Sequence, residues 1–162
     1  MPKIALIHPQ IPPNTGNIAR TCAATGIALH LVGPLGFEMS DRYLKRAGLD
    51  YWPYVDWHYH DSLEAFQAFS RDRGGRWIGF STRGSCSYVR FQFQEDDWLL
   101  FGSETMGLSD RVLAECDATA YIPMSQPRVR SLNLSVSAAL GLFEACRQLG
   151  YLDVGERGDR IV

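Results

Sequence analysis

Three polar segments of this 162-residue chain carry side chains that could bind or activate a small molecule. They are NTGNIAR at 14–20, FGSETMGLS at 101–109 and IPMSQPRVRSLNLS at 122–135. The second segment places Glu104 between glycines, where the backbone can approach a ligand closely. Each segment alone also fits an ordinary role, as a capped helix start, a glycine-rich turn or a proline-stiffened crossover. Together they favour a binding pocket without identifying its ligand.

Apolar stretches that predict buried strands precede these segments. The predicted strands are 3–7, 28–32, a strand around YVDWHYH, 76–82, 98–103 and 118–123. The predicted helices are 14–26, a short helix in SDRYLKRAG, 61–71, 109–116 and about 133–149. Asn14, Asp61 and Ser109 are the predicted caps of the first, third and fourth of these helices, and Gly26 is the predicted end of the first.

This alternation of strands and helices predicts an α/β fold, with a mainly parallel sheet covered by helices on both faces. The chain has no internal repeat or linker, so we expect a single domain over residues 1–162. Ligands of such sheets bind beyond the carboxyl ends of the strands. Because each polar segment follows a strand, all three should meet at that edge.

Composition restricts the class of protein. The chain is 46% hydrophobic and 21% charged, which is ordinary for a globular domain. The first apolar run is too short for a signal peptide, and no run is long enough to span a membrane, so we expect a cytoplasmic protein. The four cysteines lie far apart and predict neither a zinc site nor a disulfide framework. His58 and His60 alternate on a predicted strand without a nearby third ligand, so packing is favoured over a metal site.

The charge distribution permits an RNA partner without requiring one. A net charge of −2 excludes a globally basic nucleic-acid binder. Two local clusters of cations remain, and they consist of Arg42, Lys45 and Arg46 in the first and Arg128 and Arg130 in the second. A solvated helix face explains the first cluster equally well.

Familiar nucleotide and hydrolase motifs are absent. The loop after the first strand lacks GxGxxG, the chain lacks a GxxxxGK phosphate loop, and FGSETMG is not the GxSxG of a hydrolase elbow.

Three segments of the chain, taken in order, resemble the three motifs of the SpoU branch of the SPOUT methyltransferases. They are PQIPPNTGNIART, LLFGSETMGLS and IPMSQPRVRSLNLSVSAAL. AGLDYW is similar to a stretch carried by one subgroup, the tRNA wobble-position ribose 2′-O-methyltransferases. The resemblance covers residues from about 3 to 150. It implies a deep trefoil knot, with the knot and the cofactor loop over about 99–149 and a short tail at 150–162. It also implies S-adenosylmethionine as cofactor, a homodimer, and the anticodon arm of tRNA as substrate.

The resemblance also implies roles for individual residues. Those expected to line the cofactor are Phe80, Gly102, Ile122, Ser131 and Leu132. Those expected around the reaction centre are Asn17, Arg20, Glu104 and Asn133. In a dimer, both cation clusters would contribute to a groove that binds the substrate RNA. The chain departs from relatives at Phe80, often a leucine, at Val136, an asparagine in some, and at Phe143, a tyrosine associated with tRNA handling in some.

Methyl transfer from a sulfonium to a ribose 2′-hydroxyl requires orientation of the reactants and loss of a proton. Arg20 is a poor base because the pKa of a guanidinium is above about 12. We therefore expect Arg20 to grip the adjacent phosphate and to stabilise negative charge at the hydroxyl. The phosphate, a bound water or Glu104 would accept the proton. Alternative hypotheses are methylation of another RNA site, and a catalytically silent protein that binds cofactor or RNA.

Overall fold

A single sheet of seven strands runs through the computed structural model, which describes residues 1–39 and 51–152. The strands are β1 (Lys3–Ile7), β2 (Leu29–Val32), β3 (Trp57–His60), β4 (Trp77–Phe80), β5 (Cys86–Ser87), β6 (Trp98–Phe101) and β7 (Ala118–Tyr121). The helices are α1 (Pro12–Thr25), α2 (Leu63–Arg73), α3 (Asp110–Glu115) and α4 (Leu134–Gln148), with a 3-10 turn at Trp52–Tyr54. The helix predicted in SDRYLKRAG, with Arg42, Lys45 and Arg46, lies outside the described residues.

Every strand pairing in the sheet is parallel, and the strand order is β3-β2-β1-β6-β4-β7-β5. β1 lies between β2 and β6, so Ile4 is in register with Leu29 on one side and Leu99 on the other. The predicted α/β class with a parallel sheet is confirmed. The short edge strand β5 was not predicted, because two residues are too few to show a periodic pattern. The trefoil knot stays a prediction.

Alternate residues of the strands point to opposite faces of the sheet, and on both faces they pack against helices. On one face, Ile4 and Leu6 belong to a core with Ile18 of α1 and Leu142 of α4. On the other, Ala5 and Ile7 belong to a core to which α2 and α3 contribute Leu63, Phe66 and Val112. Burial on both faces explains why the strands read as continuous apolar runs.

Two predicted helix caps are wrong. α1 begins at Pro12, with Ile11 at the N-cap position, so Asn14 lies inside the first turn. Prolines are tolerated there, because the N–H groups of the first turn have no partner within the helix. α2 is capped by Ser62, whose Oγ accepts from the Ala65 amide, and not by Asp61. The C-terminal end at Gly26 is confirmed, with a left-handed φ of 68°.

Across residues 1–39 and 51–152, no helix combines the length and the apolar character needed to cross a bilayer.

Candidate active site

A cavity of about 300 Å³ opens beyond the carboxyl ends of β4, β6 and β7. Its lining includes all the residues expected to hold the cofactor, namely Phe80, Gly102, Ile122, Ser131 and Leu132. These residues come from the ends of different strands and from the long segment between β7 and α4. The parallel sheet therefore brings together positions that are far apart in the chain, at the edge where such folds bind ligands.

Glycine backbone forms one wall of the cavity. The amide of Gly107 donates to the carbonyl of Ser103 at 2.8 Å, which folds the loop after β6 back on itself. A Cβ on Gly102 would lie 1.9 Å from the carbonyl carbon of Gly107. Only glycine fits at this position, and it leaves backbone groups open to the cavity.

Aromatic side chains form the apolar wall. The rings of Phe80 and Phe101 stack with centroids 4.6 Å apart and an angle of 22° between their planes. Gly141 of α4 lies against them, since a Cβ there would be 2.7 Å from Cζ of Phe80. A flat apolar wall of this kind suits a planar ring such as a purine base.

Glu104 joins the loop after β6 to the start of α1. Its Oε2 accepts from the Gln10 amide at 2.9 Å, and its Oε1 accepts from the Ile11 amide at 3.1 Å. Oε1 also accepts from Nδ2 of Asn14 at 3.2 Å. The carboxylate thus takes the place of the side-chain cap that α1 lacks, and negative charge is favoured at this end of a helix.

Asn14 is also hydrogen-bonded to the third polar segment, the one at 122–135. Its Oδ1 accepts from Nδ2 of Asn133 at 3.0 Å, and Oδ1 of Asn133 accepts from the Ser135 amide at 2.8 Å, which caps α4. Asn14 is only 6% exposed. The three polar segments therefore meet through one chain of hydrogen bonds, Glu104 to Asn14 to Asn133. Sequence reasoning missed Asn14 as a site residue, although Pro12 and Pro13 ahead of it were a signal that the helix begins earlier.

The expected catalytic residues fall into two groups. Glu104 and Asn133 belong to the hydrogen-bonded chain, whereas Asn17 and Arg20 lie exposed on α1 and do not line the cavity. The guanidinium of Arg20 lies over the ring of Tyr51, with Cζ 4.2 Å from the ring centroid. Glu104 contacts loop amides and Asn14 rather than Asn17.

Cations occur at the rim of the cavity. Arg130 lines it, while Arg128 is exposed on the same segment outside the lining. Arg83 also lines the cavity and forms an exposed ion pair with Asp110, at 2.7 Å between Nη2 and Oδ1. No motif in the sequence pointed to Arg83. An anionic or RNA ligand would meet positive charge at this rim.

The histidines of β2 and β3 pack together away from the cavity. Nδ1 of His30 and Nε2 of His60 are hydrogen-bonded at 2.9 Å, and the His30 ring stacks on that of His58. Burial, with smaller effects from neighbouring positive charges, lowers the pKa of His30 to about 3. Burial also lowers the pKa of His60. In the part of the chain that the structure describes, no three His, Cys, Asp or Glu side chains form a metal-binding group.

Comparison with known proteins gives a consistent result. The model of the SpoU rRNA Methylase family matches residues 1–143. A Synechocystis protein named as a putative tRNA (cytidine(34)-2'-O)-methyltransferase is 60% identical over 149 residues, covering 92% of this chain and 97% of its own.

Solved structures agree with this. One, from a study of 2-OH methylation of C/U34 on tRNA, has a TM-score of 0.88 at 51% identity and covers 93% of this chain and 97% of its own. The Streptomyces viridochromogenes methyltransferase AviRb, in complex with AdoMet, has a TM-score of 0.82 at 28% identity, covering 92% of this chain and 57% of its own. The family match spans all the strands and most of α4, and the chain belongs to the SpoU methylase family.

Proposed function

We propose that this protein methylates the ribose 2′-hydroxyl of the wobble nucleotide in tRNA anticodon loops, with S-adenosylmethionine as methyl donor. The observation that carries the proposal is the similarity to proteins named as tRNA (cytidine(34)-2'-O)-methyltransferases. The Synechocystis protein, named as a putative one, is 60% identical to this chain over 92% of this chain and 97% of its own. The meeting of three polar segments beside one cavity gives this similarity a physical basis.

The residues present fit the cofactor. The stacked wall of Phe80 and Phe101 suits the adenine ring, while the glycine backbone at Gly102 and the segment with Ser131 and Leu132 offer polar groups for the ribose. A cavity of about 300 Å³ is near the lower end of the range for small-molecule sites. When bound, S-adenosylmethionine supplies an activated methyl group on a sulfonium.

The side chains of this protein then have to orient the ribose and favour loss of its proton. Because Arg20 lies outside the cavity, we assign it to the RNA side of the reaction, where it grips the phosphate next to the target ribose. Its positive charge stabilises the developing alkoxide, and holding the reactants in line contributes a large share of the rate enhancement. Arg128 and Arg130 add phosphate contacts near the cavity, as do Arg42, Lys45 and Arg46 in our proposal.

Glu104 has a positioning role in this proposal. Both of its oxygens accept hydrogen bonds from the start of α1, so the carboxylate is committed to holding that loop. The phosphate or a bound water remains to take the proton. Asn14 and Asn133 connect the same loop to the segment that lines the cavity.

We also propose a homodimer. An apolar stripe, defined as Val136, Leu140 and Phe143, runs along the outside of α4 with exposures of 47%, 37% and 44%. The spacing of these residues places them on one side of the helix. Pairing of two such stripes would cover the apolar surface and bring together the cations of two subunits, which a small chain needs to hold an RNA arm.

The test is methyl transfer from labelled S-adenosylmethionine into total tRNA from cells that lack this activity, with the modified nucleotide mapped. A 2′-O-methyl group at the wobble nucleotide is expected. Arg20→Ala should abolish transfer while cofactor binding is retained. Label in ribosomal RNA or at another tRNA position would replace the proposed substrate, and no transfer with intact cofactor binding would favour a silent binding protein.

A further inference from the structure

Arg20 is held differently from the arginines that pair with carboxylates, such as Arg76. Arg76 donates Nε and Nη2 to the carboxylate of Asp97, at 2.9 and 2.8 Å, so its donors are already used. Arg20 instead lies over the ring of Tyr51, and the ion pairs among residues 1–39 and 51–152 do not include it.

The kind of contact matters for what Arg20 can do next. A guanidinium that stacks on an aromatic ring uses its flat face, whereas its N–H donors point outward in the plane of the group. Stacking therefore fixes the position of the cation and leaves the donors available for the paired oxygens of a phosphate. A carboxylate partner would fix the cation equally well but would occupy the same donors.

The backbone of Tyr51 is held in place by hydrogen bonds and packing of the 3-10 turn that follows it. Its carbonyl accepts from the Tyr54 amide at 2.9 Å, and that of Trp52 accepts from the Val55 amide at 3.2 Å, which closes the 3-10 turn. Trp52 packs on Trp57 with ring centroids 5.5 Å apart, and Val55 is buried. The ring thus stands on an anchored turn, while the long side chain of Arg20 would otherwise sample many rotamers.

We propose that Tyr51 is a positioning residue for Arg20. It holds the guanidinium in place before RNA arrives, so that the phosphate beside the target ribose meets donors that are already oriented. This inference rests on the proposed function, because it assumes that Arg20 contacts the RNA during methyl transfer. It gives a physical role to the tyrosine of AGLDYW, which the chemistry of the cavity does not use.

The experiment compares steady-state methylation of tRNA by the full chain and its Tyr51→Leu and Tyr51→Phe variants. Loss of the ring should lower kcat about two- to fivefold, the range expected of an exposed cation–π contact. The KM for S-adenosylmethionine should stay unchanged, since Tyr51 does not line the cavity, and the midpoint of thermal unfolding should fall by no more than about 4 °C, the shift expected from loss of one exposed contact. Phenylalanine keeps the ring face and should restore kcat.

A double-mutant cycle separates positioning from other effects of the tyrosine. In an Arg20→Gln background, which keeps a planar hydrogen-bonding group but has no charge to hold over the ring, Tyr51→Leu should change the residual rate of methyl transfer less than twofold. Tyr54→Leu, on the same turn and 76% exposed, serves as the matched control and should act equally in both backgrounds. Equal loss from Tyr51→Leu in both backgrounds, or no loss in either, would overturn the role of Tyr51.

Two further measurements distinguish a failure of this inference from a failure of the proposed function. Transfer by the unmodified chain is measured first, and its absence would count against the proposed function and against any role of Tyr51 in it. The ring-current shift of the Arg20 Nε–H signal in NMR spectra reports the contact itself. It should vanish in Tyr51→Leu and persist in Tyr51→Phe, and a shift that is unaltered by Tyr51→Leu would overturn the inference whatever the activity.

Discussion

Nδ2 of Asn133 donates to Oδ1 of Asn14 across 3.0 Å, so the residue that caps α4 also holds the first turn of α1. Asn14 in turn donates to Glu104. Removal of the buried Asn14 amide would therefore cost Glu104 and Asn133 one hydrogen bond each and would break the connection between them.

Asn14→Ala should therefore lower the free energy of unfolding by about 1–3 kcal/mol, because two hydrogen bonds are lost and one of them is to a carboxylate. Methyl transfer should fall with it, because the loop and the cavity segment lose their connection. Urea unfolding and tRNA methylation measure the two effects. Asn17→Ala is the matched control, since Asn17 is exposed on the same helix and its loss should change stability by less than about 0.5 kcal/mol. Lost turnover in that variant would support the expected catalytic role of Asn17, which stays a prediction. Unchanged stability of Asn14→Ala would contradict the structural role of Asn14.

Glu104→Gln should also lower stability, again by about 1–3 kcal/mol, because an amide nitrogen would replace one of two oxygens that both accept hydrogen bonds. Both unfolding and single-turnover methylation are to be measured. The exposed Glu64, which pairs with Arg111, is the control, and Glu64→Gln should leave both nearly unchanged. If Glu104→Gln kept full stability and lost only the chemical step, Glu104 would be the proton acceptor instead.

Gly102→Ala should abolish cofactor binding. The added Cβ would overlap the Gly107 carbonyl, so the loop that walls the cavity would have to move. Isothermal titration with S-adenosylmethionine checks this directly. Gly26→Ala is the comparison, because its Cβ would meet nothing within 4 Å although its φ is 68°. It should cost about 1–2 kcal/mol of stability for the left-handed backbone and leave cofactor affinity intact. Normal affinity in Gly102→Ala would remove this loop from the cofactor site.

Phe143→Asp should convert the proposed dimer into monomers, since a charge in the apolar stripe would have to be desolvated when two stripes pack. Sedimentation velocity measures the change in mass. Val89→Asp is the control, because Val89 is 52% exposed and lies outside the stripe. A wild-type protein that sediments as a monomer, or a Phe143→Asp variant that still sediments as a dimer, would show that the stripe is not the interface.

Stability should fall as the pH drops from about 6.5 toward 5. The pKa of His30 is lowered to about 3 in the folded protein, so an unfolded chain, with its histidines near 6.5, binds more protons throughout this range. His30 alone contributes a loss of about 1.4 kcal/mol for each pH unit below 6.5, and His60 acts in the same direction.

Chemical denaturation at several pH values gives the slope of the free energy of unfolding against pH. His30→Phe should flatten it, because the buried ring would no longer gain a proton on unfolding. An equal slope in His30→Phe would mean that other groups cause the acid sensitivity.

The sequence was most informative where the periodic pattern was strong. β1 was predicted residue for residue, and α4 differs by one residue at each end from the predicted 133–149. Local chemistry also identified Ser109 as the cap of α3, with its Oγ accepting from the Val112 amide. Such features depend on neighbours in the chain, and a single sequence displays them.

Features that depend on distant partners were out of reach. The start of α1 is held by Glu104, about ninety residues further along the chain, and only that contact explains how Ile11 can stand at a cap position. No pattern in the sequence links His30 to His60, because the two become neighbours only through the pairing of β2 with β3. The cofactor-lining residues were expected from family resemblance, and their use in binding stays a prediction.

The central place of β1 in the sheet has a consequence for synthesis on the ribosome. β1 emerges first, yet one of its two neighbours, β6, begins only at Trp98. Until then the nascent chain presents an apolar strand with an unsatisfied edge, the kind of surface that invites aggregation. We therefore expect the nascent chain to be most prone to aggregation in the interval before Trp98–Phe101 has emerged to pair with β1.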